Sequence, residues 1–125
     1  MTEKRKYPRF ACKIRADFDF YSGDPDKIDR ATSVPEKGTG VILDLSLGGM
    51  FLASNNRVGI NCPVTVSFST KKGDLKVNGR VNRTGQLQNN PSEVARAFAK
   101  FADSGDYYIA VEFDTLLDNI SGDDL

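Results

Sequence analysis

Phe10-Ala11-Cys12-Lys13-Ile14-Arg15-Ala16-Asp17-Phe18-Asp19-Phe20 decides the fold. Its even positions read Phe, Cys, Ile, Ala, Phe, Phe, while positions 13, 15, 17 and 19 carry Lys, Arg, Asp and Asp. A period of two puts one face in a core and the other in water, which is the pattern of an antiparallel strand. The same signature recurs downstream. Thr39–Leu45 reads as a second strand, apolar on both faces near its end, and Met50–Ser54 as a short third after the turn Ser46-Leu47-Gly48-Gly49. Val64, Val66 and Phe68 alternate with Thr65, Ser67 and Ser69 in a fourth. Lys71-Lys72-Gly73-Asp74 is a hairpin turn, and Val77–Thr84 continues as a fifth with Val77, Gly79 and Val81 facing inward. Tyr107, Ile109, Val111 and Phe113 mark a sixth. Six short strands with hairpin-type links predict a mainly β protein, a six-stranded antiparallel barrel, because closure removes open edges.

Three segments depart from this pattern. Residues 21–39 lose periodicity and gather Gly23, Pro25, Pro35 and Gly38, as a long loop does. The Asp24-x-Asp26 start of that loop is not a calcium site, since Ile28, Asp29 and Pro35 occupy positions that need a ligand, a glycine and a glutamate. Residues 85–106 read as a helical insertion. Ser92 is its N-cap, Glu93 favours the helix dipole, and Val94, Ala97, Phe98, Phe101 and Ala102 form one apolar stripe expected to pack on the barrel. A short C-terminal helix is expected over Thr115–Ile120, with Leu116, Leu117 and Ile120 closing one barrel end, and residues 121–125 are expected to fray.

A chain of 125 residues has room for one such domain. Histidine is absent, which removes the commonest general base and metal ligand, and no nucleophile–base pair, phosphate loop or metal cluster can be assembled. The expectation is no enzyme, no catalytic residue and no metal. Cys12 and Cys62 are too far apart for a CxxC motif and read as small apolar residues in a reducing compartment. No apolar run is long enough to cross a bilayer, and the Met-Thr-Glu-Lys-Arg-Lys start carries no secretory signal, so a cytoplasmic location is expected. Lysine plus arginine equals aspartate plus glutamate at 17 each, which argues against a nucleic acid polymer as partner. The charge is uneven, however. Lys4, Arg5, Lys6, Arg9, Lys13 and Arg15 face Glu3 alone at the N-terminus, so residues 1–9 read as a flexible basic arm suited to a small anion.

Two motifs give that anion a chemistry: Arg5-Lys6-Tyr7-Pro8-Arg9, an RxxxR before the first strand, and Asp44-Leu45-Ser46-Leu47-Gly48-Gly49, a DxSxxG at the end of the second. Each alone has a plain structural account, a solvated arm in one case and an Asx-type turn with a left-handed glycine in the other. Together, in this order around the first strands of a barrel, they resemble the PilZ domain family, and the likeness extends over residues 4–120 apart from the loops. The resemblance implies a PilZ-type β-barrel over residues 10–120 that binds cyclic di-GMP. It matches Arg5 and Arg9 to the family's arginine pair, and Asp44, Ser46 and Gly49 to its second motif. It also implies that Arg83 can stack on guanine.

The side chains suit that ligand on their own terms. Arginine's fork bonds phosphate or guanine O6 and N7 in bidentate fashion. Asp44 can accept from guanine N1–H and N2–H₂, Ser46 can donate to phosphate or base, and Gly48 and Gly49 let backbone N–H groups approach the ligand. The implied function is a second-messenger receptor without other cofactor, whose arm changes conformation to regulate an unidentified downstream protein in motility, biofilm or virulence. The alternative is a PilZ-like adaptor that acts through protein contacts without nucleotide. The long 21–39 loop and the 85–106 insertion depart from the family pattern and bear on partner surfaces. Lys4, just before the first motif arginine, bears on whether one or two ligands bind.

Overall fold

In a computed structural model that describes residues 9–87 and 106–117, alternation becomes curvature. The strands are β1 (Phe10–Phe20), β2 (Glu36–Leu45), β3 (Gly49–Ser54), β4 (Pro63–Thr70), β5 (Gly73–Gln86) and β6 (Tyr107–Phe113). All pairs are antiparallel, and the order β1-β2-β3-β6-β5-β4 closes with β4 back on β1. Closure gives each of the six described strands two neighbours, so none of them leaves an edge to recruit another chain.

The expected even positions of β1 do face inward, with Ala16, Phe18 and Phe20 buried and Cys12 and Ile14 packed against the same core. Ile42, Leu45, Leu52, Val64, Val66, Val81 and Ile109 fill the interior and are essentially inaccessible. Each such side chain contributes about 1.5–3 kcal/mol on burial, which makes the barrel interior the main stabilising term.

Several boundaries differ from the sequence reading. β2 begins at Glu36, inside the stretch read as loop, because Phe20↔Glu36 and Asp19↔Lys37 continue the β1 ladder and a Lys37 Nζ–Asp19 Oδ1 ion pair of 2.6 Å closes it. β5 runs from Gly73 to Gln86, well past Val77–Thr84, since β4 and β6 pair with it along its length. Its first residue, Gly73, follows the tight turn Lys71-Lys72 with φ +127°, a conformation strained for any residue with a Cβ. Gly85 and Gln86, read as the start of the helical insertion, are therefore strand. The expected helix, with its Ser92 cap and its stripe from Val94 to Ala102, lies outside the described residues. So do Asp118, Asn119 and Ile120 of the expected C-terminal helix. Its described part, Thr115–Leu117, is bend and irregular backbone, and Leu117 donates its N–H to the Leu47 carbonyl at 2.9 Å. Leu117 packs on the core as expected, whereas Leu116 is about half exposed.

The loop between β1 and β2 is tied down. Asp24 caps a short 3-10 turn (Pro25–Lys27) by accepting from Asp26 N–H at 3.0 Å, and Ile28 packs on the core. Arg30 reaches across the barrel: Nη2 donates to the carbonyls of Gly79 (2.8 Å) and Val64 (3.3 Å), and Nη1 to Asp114 Oδ2 (3.1 Å). Truncation by Arg30→Ala strips two strand carbonyls and one carboxylate of a donor. We expect it to lower unfolding free energy by about 1–2 kcal/mol and to speed tryptic cleavage at Lys27. Urea titration and timed proteolysis check both, and an unchanged cleavage rate would show that Arg30 is not the anchor.

Candidate functional site

Strict alternation would hide two charged residues. In β2, Gly38, Gly40 and Ile42 face inward, so unbroken pleating would turn Asp44 into the core as well. The ladder slips between Ile42 and Asp44: Ile42 pairs with Leu52, yet Asp44 pairs with Phe51. Leu43 is the extra residue of a β-bulge, and it swings Asp44 to the outer face. β5 repeats the device. Val77, Gly79 and Val81 are buried, the register shifts between Val81 and Arg83, and the extra residue Asn82 turns Arg83 outward against Ala110. The pairings Asp44↔Phe51, Phe51↔Ala110 and Ala110↔Arg83 therefore form one transverse row across β2, β3, β6 and β5. An acid and a cation stand at its ends, with an aromatic ring and a small residue between them.

A cleft of 520 Å³ opens over this row. Its lining includes Arg9, Asp44, Ser46, Gly48 and Gly49, the described residues of the two motifs that were expected to meet a ligand. Arg5 lies outside the described residues. Arg9, just before β1, brings Nη1 to 3.9 Å from Asp44 Oδ2, and both side chains are partly exposed. The DxSxxG turn is built by Ser46. Its hydroxyl accepts from Gly48 N–H at 3.3 Å and faces the Gly49 carbonyl at 3.3 Å, while its N–H donates to that carbonyl at 2.9 Å. Ser46 thus shapes the bend with the oxygen that the sequence reading gave to a ligand.

The glycines depart from expectation. Neither Gly48 nor Gly49 has a positive φ, so the turn needs no left-handed residue there. What Gly49 supplies is clearance: a Cβ at that position would lie 2.5 Å from the Val111 carbonyl oxygen, where β3 pairs with β6. The turn is also held from the far side, since Phe113 N–H donates to the Gly48 carbonyl at 2.9 Å.

The cleft takes in residues that the sequence had not marked as ligand contacts: Phe51, Asn82, Ala110, Glu112 and Leu116, the last read there as a plug for the barrel end. Phe51 stacks on Tyr108 with centroids 5.2 Å apart and planes 12° from parallel, so it stands as a rigid wall. Ala110 and Gly49 give the cleft a floor of small residues. Arg83, read as a stacking candidate, does line it. Behind Asp44, Cys12 donates to the Ile42 carbonyl at 3.6 Å. Burial, reinforced by the Asp44 carboxylate, pushes its thiol up to about 11, so it remains protonated at neutral pH as apolar filling.

Guanidinium, carboxylate, hydroxyl and amide groups around an aromatic wall can bind an anion that carries a flat polar base. Among the described residues, no group of three or more His, Cys, Asp or Glu side chains is placed to hold a metal ion. Among the same residues, no helix is long and apolar enough to cross a membrane.

Two solved structures share the fold. One is the PilZ domain of CeSA from a cellulose-synthesizing bacterium (16% identity, TM-score 0.51, covering 93% of this chain and 87% of that chain). The other is the PilZ domain with c-di-GMP of YcgR from Escherichia coli (12% identity, TM-score 0.54, covering 95% of this chain and 81% of that chain). No curated protein sequence matches the chain. The PilZ domain family model matches residues 3–119, which takes in both motifs and all six strands, and the chain therefore belongs to the PilZ domain family.

Proposed function

We propose that this chain is a receptor for cyclic di-GMP and that it signals by rearrangement, without catalysis. The observation that carries the reading is the cleft itself. Two motifs far apart in sequence bring Arg9 and Asp44 to 3.9 Å, with Ser46, Gly48 and Gly49 lining the same space. Membership of the family supports it, and so does the nucleotide held by the Escherichia coli relative.

Each half of cyclic di-GMP offers a phosphodiester anion and a guanine. Arg9, joined by Arg5 from the basic segment 1–9, meets phosphate or the O6/N7 edge with a bidentate fork. Asp44 accepts from N1–H and N2–H₂, which no plain phosphate site would require. Arg83 covers a purine face from the other end of the row. Each charge-assisted contact that Arg5 and Arg9 make to the ligand contributes about 1.5–3 kcal/mol. The segment then presents a new surface to a downstream protein.

Calorimetric titration of the full chain at moderate salt tests the reading. Cyclic di-GMP is expected to bind at micromolar concentration or tighter, with amide signals of the first dozen residues shifting in parallel. A flat titration at 100-fold higher ligand (about 2.7 kcal/mol weaker) would remove the receptor reading and favour the adaptor.

A further inference from the structure

The row next to Asp44–Phe51–Ala110–Arg83 on the outer face contains a second acid. Gly49 pairs with Glu112, and Glu112 with Arg80, so Glu112 stands on β6 with no side chain beside it on β3. It is exposed and lines the cleft. Arg80, its other neighbour, sends Nη1 to the Asn61 carbonyl at 2.9 Å. The Glu112 carboxylate therefore makes no ion pair or hydrogen bond among the described residues.

An unneutralised carboxylate in a cleft for a dianion is a liability unless the ligand brings donors to it. Phosphate brings none. The Watson–Crick edge of guanine brings two, N1–H and N2–H₂, side by side, and a carboxylate can accept both. Asp44 offers the same chemistry from β2, but β3 lies between the two acids. At the usual strand spacing they are roughly 10 Å apart, too far to grip one purine edge together.

We propose that Glu112 is a specificity-determining residue that reads the second guanine of the dinucleotide, as Asp44 reads the first. The proposal rests on the receptor reading of this cleft. Two carboxylates, one for each base, make the site select guanine twice. Adenine offers a lone pair at N1 where guanine has a proton, so each acid turns from acceptor to repeller when the base is changed.

The sign of the mutant effect separates this from simple electrostatics. Glu112→Ala and Glu112→Gln are titrated calorimetrically with cyclic di-GMP and with cyclic di-AMP, and thermal melts of both variants verify folding. We expect both variants to lose cyclic di-GMP affinity by about tenfold or more, since hydrogen bonds to a charged acceptor are lost, while cyclic di-AMP binding holds or improves. If Glu112 merely repels the phosphates, its removal strengthens binding of both dinucleotides alike, and that result overturns the proposal. Wild-type binding with unchanged variants also overturns it and leaves the receptor reading standing. A wild type that ignores cyclic di-GMP removes both.

Discussion

Arg9→Ala is expected to weaken cyclic di-GMP binding by about a hundredfold while leaving the fold in place, because the two effects draw on different interactions. In the free protein, the Arg9 guanidinium stands 3.9 Å from Asp44 with 41% of its side chain exposed. A pair at that distance in water is worth about 0–1 kcal/mol, so its loss leaves the melting temperature nearly unchanged. With ligand bound, the same fork meets an anion or a purine edge in a drier setting, and its removal also takes one cation from beside the Asp44 carboxylate. Both changes weaken binding.

Arg9→Lys keeps the charge without the planar fork and is expected to recover only part of the loss. Asp44→Ala removes an acceptor instead, so combining it with Arg9→Ala gives less than the sum of the two losses if both grip the same nucleotide. Calorimetry on the three single variants and the double variant, with thermal melts as control, decides the matter. An Arg9→Ala protein that binds normally would end the claim that this arginine is a ligand.

The second large effect is on stability. Gly49→Ala places a Cβ 2.5 Å from the Val111 carbonyl oxygen. That neighbour is backbone, held in the β3–β6 ladder on which the closed barrel depends, so it cannot step aside as a side-chain tip would. We expect a loss of about 3 kcal/mol, or roughly 12 °C in melting temperature, from overpacking between paired strands. Urea unfolding measures it. Binding by the folded fraction should persist if Gly49 serves the β3–β6 pairing. A normally stable Gly49→Ala protein with abolished binding would instead return this glycine to the role read from sequence, admitting the ligand.

Much of the barrel was legible because alternation is a local property. Phe10–Phe20 and Tyr107–Phe113 could be read residue by residue, since each side chain's face follows from its own parity. The loop Arg30 gave no such signal: its anchors, Val64, Gly79 and Asp114, are distant in sequence and meet it only when β4, β5 and the end of β6 converge. Motif spacing marked Asp44, and yet the parity of β2 would have buried it. The inward set passes from Ile42 to Leu45, which betrays a slip, but the pairing with β3 was needed to identify Leu43 as the extra residue.

Glu112 shows the same limit more sharply. In the sequence it is an ordinary outward residue of the last strand. It enters the cleft because β6 lies between β3 and β5, opposite a glycine. Sequence by itself determined a β protein with alternating faces and two motifs whose chemistry suits a guanine dinucleotide. Tertiary structure alone decided which side chains share a row and which way two bulged strands turn their charges. Facing is dictated by bonds between adjacent residues, whereas neighbourhood across a sheet depends on hydrogen-bond registers between segments that only the closed barrel brings together.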